Sequence, residues 1–198
     1  AAEAQLKLLQ TQLEPHMLFN TLANLRVLIG TNPALATDML DRMVAYLRAT
    51  LGASRATMHP LQAEFDRLRD YLELMAVRMG PRLRYTLDLP PELATCPVPP
   101  LLLQPLVENA IKHGLEPKVE GGSITVSARL DGTRMTLTVQ DTGVGLPQGQ
   151  RVVDGFGVAQ VRERLATTYG DQGAIELVAG HAGGTRATVT FPCENGQK

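Results

Sequence analysis

Met135-Thr136-Leu137-Thr138-Val139-Gln140-Asp141-Thr142-Gly143-Val144-Gly145 is the stretch whose reading decides the fold. Met135, Leu137 and Val139 share one parity, and two threonines and a glutamine take the other. That is the period of a half-buried strand. Asp141 keeps the apolar parity, so the strand ends on a carboxylate aimed at the core side. An inward carboxylate needs a hydrogen-bond partner, and the exocyclic amino group of a purine would serve. Gly143 and Gly145 follow at once and let the backbone approach a ligand closely. An exposed turn aspartate at a frayed strand end fits the same residues.

Upstream, Ile124, Val126, Ala128 and Leu130 make a second strand, joined to the first through an Asp131-Gly132 hairpin turn. Before it, Leu101–His113 is predicted as a helix. Leu103, Leu106, Val107 and Ala110 supply its apolar side, while Glu108, Asn109, Lys112 and His113 fall on neighbouring faces. A carboxylate, an amide oxygen and two nitrogen donors suit a magnesium-bound polyphosphate, because magnesium takes oxygen ligands and keeps several waters. A solvated face with one Glu–Lys pair fits equally. Downstream, Gly155-Phe156-Gly157-Val158 opens a helix predicted near Val158–Tyr169. A glycine pair before a helix N-terminus suits phosphate, as it suits an ordinary cap. Strands near Ala174–Ala179 and Thr185–Phe191 close the chain. Thr185 follows Gly183-Gly184 and has the parity of Ala187, Val189 and Phe191, so its hydroxyl is placed to reach the same pocket; a tight hairpin also explains the glycines.

The first ~80 residues read as helices. Leu6, Leu9 and Leu13 form one stripe, and Leu18, Leu22, Leu25 and Ile29 another. His16 lies two positions before Leu18 and so points roughly 200° away from that second stripe. Asn20 shares its face, and both are expected outward. Pro15 precedes His16 inside the helical pattern, at a cost of about 3 kcal/mol or more. An imidazole held on an exposed helix offers a chemical reason to bear that cost, as a nucleophile. Gly30-Thr31-Asn32-Pro33 is predicted as a turn, with Asn32 capping the next helix and Pro33 in its first position. That helix places Leu40, Val44, Leu47 and Leu51 on one side and Met39, Met43 and Tyr46 on an adjacent strip. A two-helix hairpin cannot cover so much apolar surface. Pairing two copies as a four-helix bundle would; packing on the chain's own C-terminal part is the other solution. Leu61, Phe65, Leu68, Leu72, Met75 and Met79 mark a third helix, stopped by Gly80-Pro81. Leu83, Tyr85, Leu87 and Leu89 then alternate as a strand. This order predicts an α+β class: a helical hairpin followed by an α/β layer sandwich.

The chain has 198 residues, enough for one large domain or two small ones, and its 19 basic and 20 acidic side chains nearly cancel. That balance argues against a strong field directed at nucleic acid or an anionic membrane. Cys96 and Cys193 form no ligand pattern and suggest no disulfide framework, so reduced thiols in a cytosolic setting are expected. No apolar run is long enough to span a bilayer and no signal peptide opens the chain. The start inside a helical pattern suggests a fragment of a longer protein. His59 and His181 fall in predicted loops without a role.

Leu106-Val107-Glu108-Asn109-Ala110-Ile111-Lys112-His113-Gly114 resembles the N box of the GHKL ATPase superfamily. Asp141–Gly145 resembles its first glycine box, Gly155–Val158 the second and Gly183–Thr185 the third. Pro15-His16-Met17-Leu18-Phe19-Asn20 and Val161-Arg162-Glu163-Arg164-Leu165 narrow the resemblance to the LytS-type sensor histidine kinases of two-component systems. It spans nearly the whole chain, with both halves in the family's order. It implies a dimerising, phosphotransferring helical hairpin over 1–55, a catalytic GHKL-type ATP-binding domain over 56–193 and a tail over 194–198. The implied activity is ATP-dependent autophosphorylation on His16 and phosphotransfer to an aspartate of a response regulator, by family analogy one with a LytTR-type output domain. The implied setting is the cytoplasmic part of a homodimeric, membrane-anchored bacterial sensor.

Carried over by position, the resemblance makes His16 the phosphoacceptor and Asn109 a ligand of Mg²⁺. Glu108 would assist catalysis or order water at the metal. Lys112 and His113 would contact the phosphates of ATP. Asp141 would recognise adenine, with Gly143 and Gly145 shaping the pocket. Gly155 and Gly157 would hinge a lid, Thr185 would support the adenine end, and Asn20 would position water for dephosphorylating the partner. Met17 and Met79 replace aromatics common in the family, and Glu14 replaces an asparagine. Met17 cannot accept the proton of His16, which leaves Glu14 or a group of the catalytic domain. Two other functions stand beside the kinase: an ATPase clamp like gyrase B or MutL, and an inactive pseudokinase scaffold.

Overall fold

A computed structural model describes residues 15–53, 57–146, 156–180 and 183–193. Helix α1 (Pro15–Thr31) and helix α2 (Pro33–Ala53) flank Asn32 alone. The Asn32 side-chain oxygen accepts the Leu35 N–H at 3.1 Å, an N-cap bond, and Pro33 fills the first helical position, where no N–H is needed. Gly30 stays helical, so the expected four-residue turn contracts to one residue. The stripe Leu6, Leu9, Leu13 lies outside the described residues.

Helix α3 (Leu61–Met79) follows a short strand β1 (His59–Pro60) and is the spine of the molecule. Its predicted stripe from Leu61 to Met79 is fully buried. Helix α2 packs on it, and Met17, Leu25, Met39, Met43 and Tyr46 of the hairpin join the same buried core, with the rings of Tyr46 and Tyr71 5.6 Å apart. Arg42 of α2 pairs with Glu73 of α3. This arrangement corrects the leucine stripe. Met17, Thr21 and Leu25 face inward on α1, whereas Phe19, Leu22, Val27 and Ile29, with Leu40 and Val44 of α2, are exposed. The hairpin therefore uses one apolar face on its own chain and leaves a second one uncovered.

The remaining elements are β2 (Leu83–Asp88), β3 (Pro97–Val98), α4 (Gln104–Asn109), β4 (Gly122–Asp131), β5 (Arg134–Asp141), α5 (Phe156–Tyr169), β6 (Ala174–Ala179) and β7 (Thr185–Pro192). Five strands form a sheet in the order β2-β4-β5-β7-β6, while β1 and β3 form a separate pair. Only β2 and β4 run parallel in the large sheet; its other pairs are antiparallel. Ile124, Val126, Ala128, Met135, Leu137, Val139, Ala187, Val189 and Phe191 line its inner face. Polar residues such as Thr125, Arg129, Thr136 and Thr188 take the outer one, so the period-two reading holds and the class is α+β.

Cys96 and Cys193 are joined as a disulfide, where reduced thiols were expected. The loop before β3 and the end of β7 meet in space although 97 residues separate them, a proximity that spacing does not reveal. No helix among the described residues is long and apolar enough to cross a membrane.

Candidate active site

The entry into α4 is held by charged groups from two other helices. Leu101 has φ +58, the one positive value outside glycine among the described residues; such a conformation costs about 1–3 kcal/mol. Glu64 of α3 accepts the N–H groups of Leu101 at 3.1 Å and Leu103 at 2.9 Å. Arg164 of α5 donates to the Leu101 carbonyl at 2.7 Å and to the Pro100 carbonyl. The strained peptide is thus clamped from both sides, and α4 starts at Gln104 rather than at the predicted Leu101. Glu64 is wholly buried and also meets His59 Nε2 at 3.0 Å and Arg67 Nη1 at 3.1 Å. Burial pushes its carboxyl up, but the His59 hydrogen bond, the Arg67 charge and the Leu103 amide outweigh burial and hold it below the usual carboxylate range.

Beyond Asn109 the helix changes type. Ala110–Leu115 is a π-helix, in which the Glu116 N–H reaches back five residues to the Ile111 carbonyl at 2.8 Å. Single π-turns gather at functional sites. The 3.6-residue period therefore ends at Asn109; past it, Lys112 is half-buried and His113 exposed, while Ala110, Ile111, Gly114 and Leu115 are buried. Asn109 meets the start of α5. A Cβ at Gly157 would lie 2.6 Å from Asn109 Nδ2 and 3.0 Å from the Pro105 carbonyl oxygen, so a side chain there would push the Asn109 amide aside.

The predicted carboxylate at the end of β5 is in place. Asp141 is 3% exposed, opposite Ile124 of β4, and accepts the Gly143 N–H at 2.8 Å. Burial raises its pKa, opposed by the backbone N–H groups of Gly143 and Thr185 and by the Lys118 charge. Thr185 thus reaches Asp141 through its backbone. The turn after Asp141 is pressed onto the π-helix: Val144 N–H donates to the Gly114 carbonyl at 2.9 Å, and a Cβ at Gly143 would sit 2.2 Å from the Gly114 carbonyl carbon. Gly145, with φ +79, continues the turn. Lys118 closes it from outside by donating to the Thr142 carbonyl at 2.6 Å. Asp141, Gly143, Gly145 and Thr185 therefore cluster at Gly114 and Gly184, at the far end of the π-helix from Asn109, which meets Gly157 of α5.

Glu108 faces the other way. Its Oε1 accepts from Gln104 Nε2 at 2.9 Å and from the Tyr46 hydroxyl of α2 at 3.3 Å. His16 stands in the first turn of α1, and Asn20, one turn on, is half-buried rather than outward. With Arg78, Met79, Arg82 and Glu116 it lines an open cleft between α1 and the end of α3. Glu14, Gly155 and the His16 side chain lie outside the described residues, as does His181.

The described residues hold no group of three or more His, Cys, Asp or Glu placed to bind a metal. An ion at Asn109 would be bound by one amide oxygen, by ligand oxygens and by water. That donor set fits magnesium and does not fit zinc.

Sequence reasoning missed Glu64, His59, Arg67, Lys118, Tyr46 and Gln104. Glu64 carried a signal: it occupies the apolar stripe of α3, between Leu61 and Leu68, where a charge must be buried and paired. Arg164 is marked in the sequence only by its motif, and its carbonyl clamp emerges only from the fold.

A histidine kinase family model matches residues 4–83, and a model of histidine kinase-, DNA gyrase B- and HSP90-like ATPases matches residues 100–195. The chain is 32% identical over 198 residues to the sensor histidine kinase YesM of Bacillus subtilis. It is 30% identical over 190 residues to the sensor histidine kinase BtsS of Escherichia coli, and 29% over 203 residues to the sensor protein LytS of Bacillus subtilis. These alignments cover 98%, 96% and 97% of the chain but 34% of each relative, so the chain spans about a third of their length. Among solved structures, the histidine kinase domain of an Erythrobacter litoralis blue-light activated histidine kinase superposes with a TM-score of 0.58 at 18% identity, covering 96% of this chain and 91% of that one. The ATP binding domain of PrrB from Mycobacterium tuberculosis superposes at 0.50 and 26% identity, covering 69% of this chain and 96% of that one. The chain belongs to the LytS-type sensor histidine kinases, in which histidine kinase helices precede a GHKL ATPase domain.

Proposed function

We propose that this chain is the kinase core of a two-component sensor, with a phosphotransfer hairpin over 1–55 and a catalytic domain over 56–193. The observation that carries the reading is the pairing of two features in one chain: a buried Asp141 enclosed by Gly114, Gly143 and Gly184, and a hairpin whose first helix bears His16, packed into the same core. Asp141 accepts a hydrogen bond from the adenine amino group of ATP, and Lys112 and His113 border the phosphates. A magnesium ion held by Asn109 neutralises charge on the polyphosphate. An imidazole nitrogen of His16 attacks the γ-phosphorus in line. The N–P bond forms as the bond to the bridging oxygen breaks, and ADP leaves. The phosphoryl group then passes to an aspartate of a response regulator, by analogy one with a LytTR-type output domain.

The exposed face of Phe19, Leu22, Val27, Ile29, Leu40 and Val44 supports a homodimer, since apolar patches of this kind mark interaction sites. The relatives named sensor proteins support a longer protein anchored in a bacterial inner membrane, with this part in the cytoplasm. Incubation with γ-labelled ATP and Mg²⁺ tests the reading. Acid-labile, base-stable label on the protein supports the kinase. Free phosphate without protein label supports the ATPase clamp instead, and absence of nucleotide binding supports the scaffold.

A further inference from the structure

Cys96 and Cys193 are the two cysteines of the chain, and the disulfide between them fastens together two segments that both lead to the site. Cys96 stands at the start of α3. Pro60 precedes that helix and gives it no side-chain cap. The first N–H groups of the helix go to the Cys96 loop instead: Leu61 donates to the Cys96 carbonyl at 2.8 Å and Gln62 to the Ala94 carbonyl at 2.9 Å. In the same first turn, Glu64 accepts the N–H groups of Leu101 and Leu103. The chain itself runs from Cys96 through β3, which pairs with β1, to the strained Leu101 peptide. Cys193 ends β7, the strand whose first residue, Thr185, gives its backbone N–H to Asp141. Pro192 has no N–H for the ladder, and the Cys193 N–H fastens the strand end to the Thr133 carbonyl at 2.8 Å.

We propose that the Cys96–Cys193 pair is a reversible redox latch on the ATP site: oxidised, it locks the cap of α3 to the sheet, and reduced, it loosens that cap, the hold of Glu64 on Leu101 and the binding of ATP. The inference rests on the cytoplasmic, ATP-binding reading above. In a cytosol, small thiols keep cysteines reduced, and the disulfides that do form are transient and redox-sensing. The exchange balances with such a thiol as reductant. Its thiolate attacks one sulfur, the S–S bond breaks and a mixed disulfide forms; a second thiolate frees the protein sulfur and leaves as the small disulfide. Two electrons and two protons pass to Cys96 and Cys193. Both residues belong to the apolar core, where free thiols pack as small hydrophobes, so the reduced protein keeps its fold. The sulfurs are buried and are reached when the end of β7 frays, a local opening far smaller than unfolding.

The test equilibrates the purified wild type in reduced or in oxidised glutathione. Free thiols are counted by alkylation and intact mass, amide hydrogen exchange is followed, and ATP affinity is measured by calorimetry. Two thiols are expected in the reduced buffer and none in the oxidised one, each form converting to the other. Exchange at Leu61, Gln62, Leu101 and Leu103 should be about tenfold faster or more when reduced. Kd for ATP should rise about fivefold or more, as the competent fraction falls. Tm should drop by about 10–20 °C, since a closed loop of about a hundred residues is released. Cys193→Ala should behave as the reduced protein in both buffers. A bond that survives reduced glutathione in the folded protein is a permanent staple and overturns the proposal, as do thiols that stay free in oxidised glutathione. Unchanged exchange at the four amides with unchanged ATP affinity overturns it too. Absence of ATP binding in both buffers defeats the ATP-binding reading instead, and the thiol count and amide exchange still decide the latch.

Discussion

Glu64→Gln keeps the size of the side chain and removes its charge, at a point where four donors converge: His59, Arg67 and the N–H groups of Leu101 and Leu103. A glutamine offers one acceptor oxygen and turns a donating amide toward the remaining groups. Arg67 then becomes a buried cation without its counter-charge. Breaking a buried pair in this way costs about 3–5 kcal/mol. For a domain of this size each kcal/mol moves Tm by about 2–4 °C, so a fall of about 6–20 °C is expected at pH 7. ATP affinity should fall as well, because the Leu101 peptide that starts α4 loses one jaw of its clamp. The pH dependence has a definite sign. Glu64 sits below its ordinary value of 4.5 in the folded protein, so its contribution is fully present above about pH 4.5 and is lost as pH falls through the lower folded value. The Tm difference between wild type and variant should therefore narrow in acid. Circular dichroism melts at a series of pH values, with ATP titration by calorimetry, give the answer. A Tm within about 2 °C of wild type at pH 7, with unchanged ATP affinity, would refute the clamp.

Gly143→Ala forces a methyl group to within 2.2 Å of the Gly114 carbonyl carbon; both Tm and ATP affinity should drop, the latter at least tenfold by calorimetry. Asp141→Asn removes a charge-assisted acceptor worth about 1.5–3 kcal/mol, so Kd for ATP should rise about 10- to 100-fold in a fluorescence competition assay. Because burial raises Asp141, ATP affinity of the wild type should begin to fall at a higher pH than an ordinary aspartate would allow, and Asp141→Asn should lack that limb. For the ATP-free protein the sense reverses: the contribution of Asp141 to stability is present below its unfolded value of 3.8 and is lost as pH rises through the raised folded value. Leu22→Asp places a charge on the uncovered face of α1. At about 1.5–3 kcal/mol per buried leucine, counted on both copies, it should raise the dimer dissociation constant at least a hundredfold by light scattering, leaving ATP affinity unchanged.

The sheet was legible because its strands alternate cleanly: Met135, Leu137, Val139 and Asp141 sit on the inner face as their parity requires. Helix α3 was legible for the same reason at period 3.6. The hairpin was harder, because both of its helices carry two apolar strips, and which one faces the chain's own domain depends on the shape of α3. Met39, Met43 and Tyr46 go inward, and Leu40 and Val44 stay out. At the site, residues tied to local spacing came through, notably Asp141 with its glycines. The π-turn that carries Lys112 and His113 was not legible, because it breaks the helical period without a mark in composition. Contacts that join distant segments, such as Glu64 with Leu101 or Tyr46 with Glu108, leave no local trace. The Cys96–Cys193 bond is of the same kind.

The role proposed for His16 is to receive the γ-phosphoryl group of ATP. Its most direct measurement is mass spectrometry of the protein after brief incubation with Mg²⁺ and ATP, under alkaline handling that preserves phosphohistidine. One phosphoryl group is expected on the peptide containing His16, and none on any peptide of a His16→Gln variant that still binds ATP. A phosphoryl group elsewhere, or one that persists in His16→Gln, would contradict it.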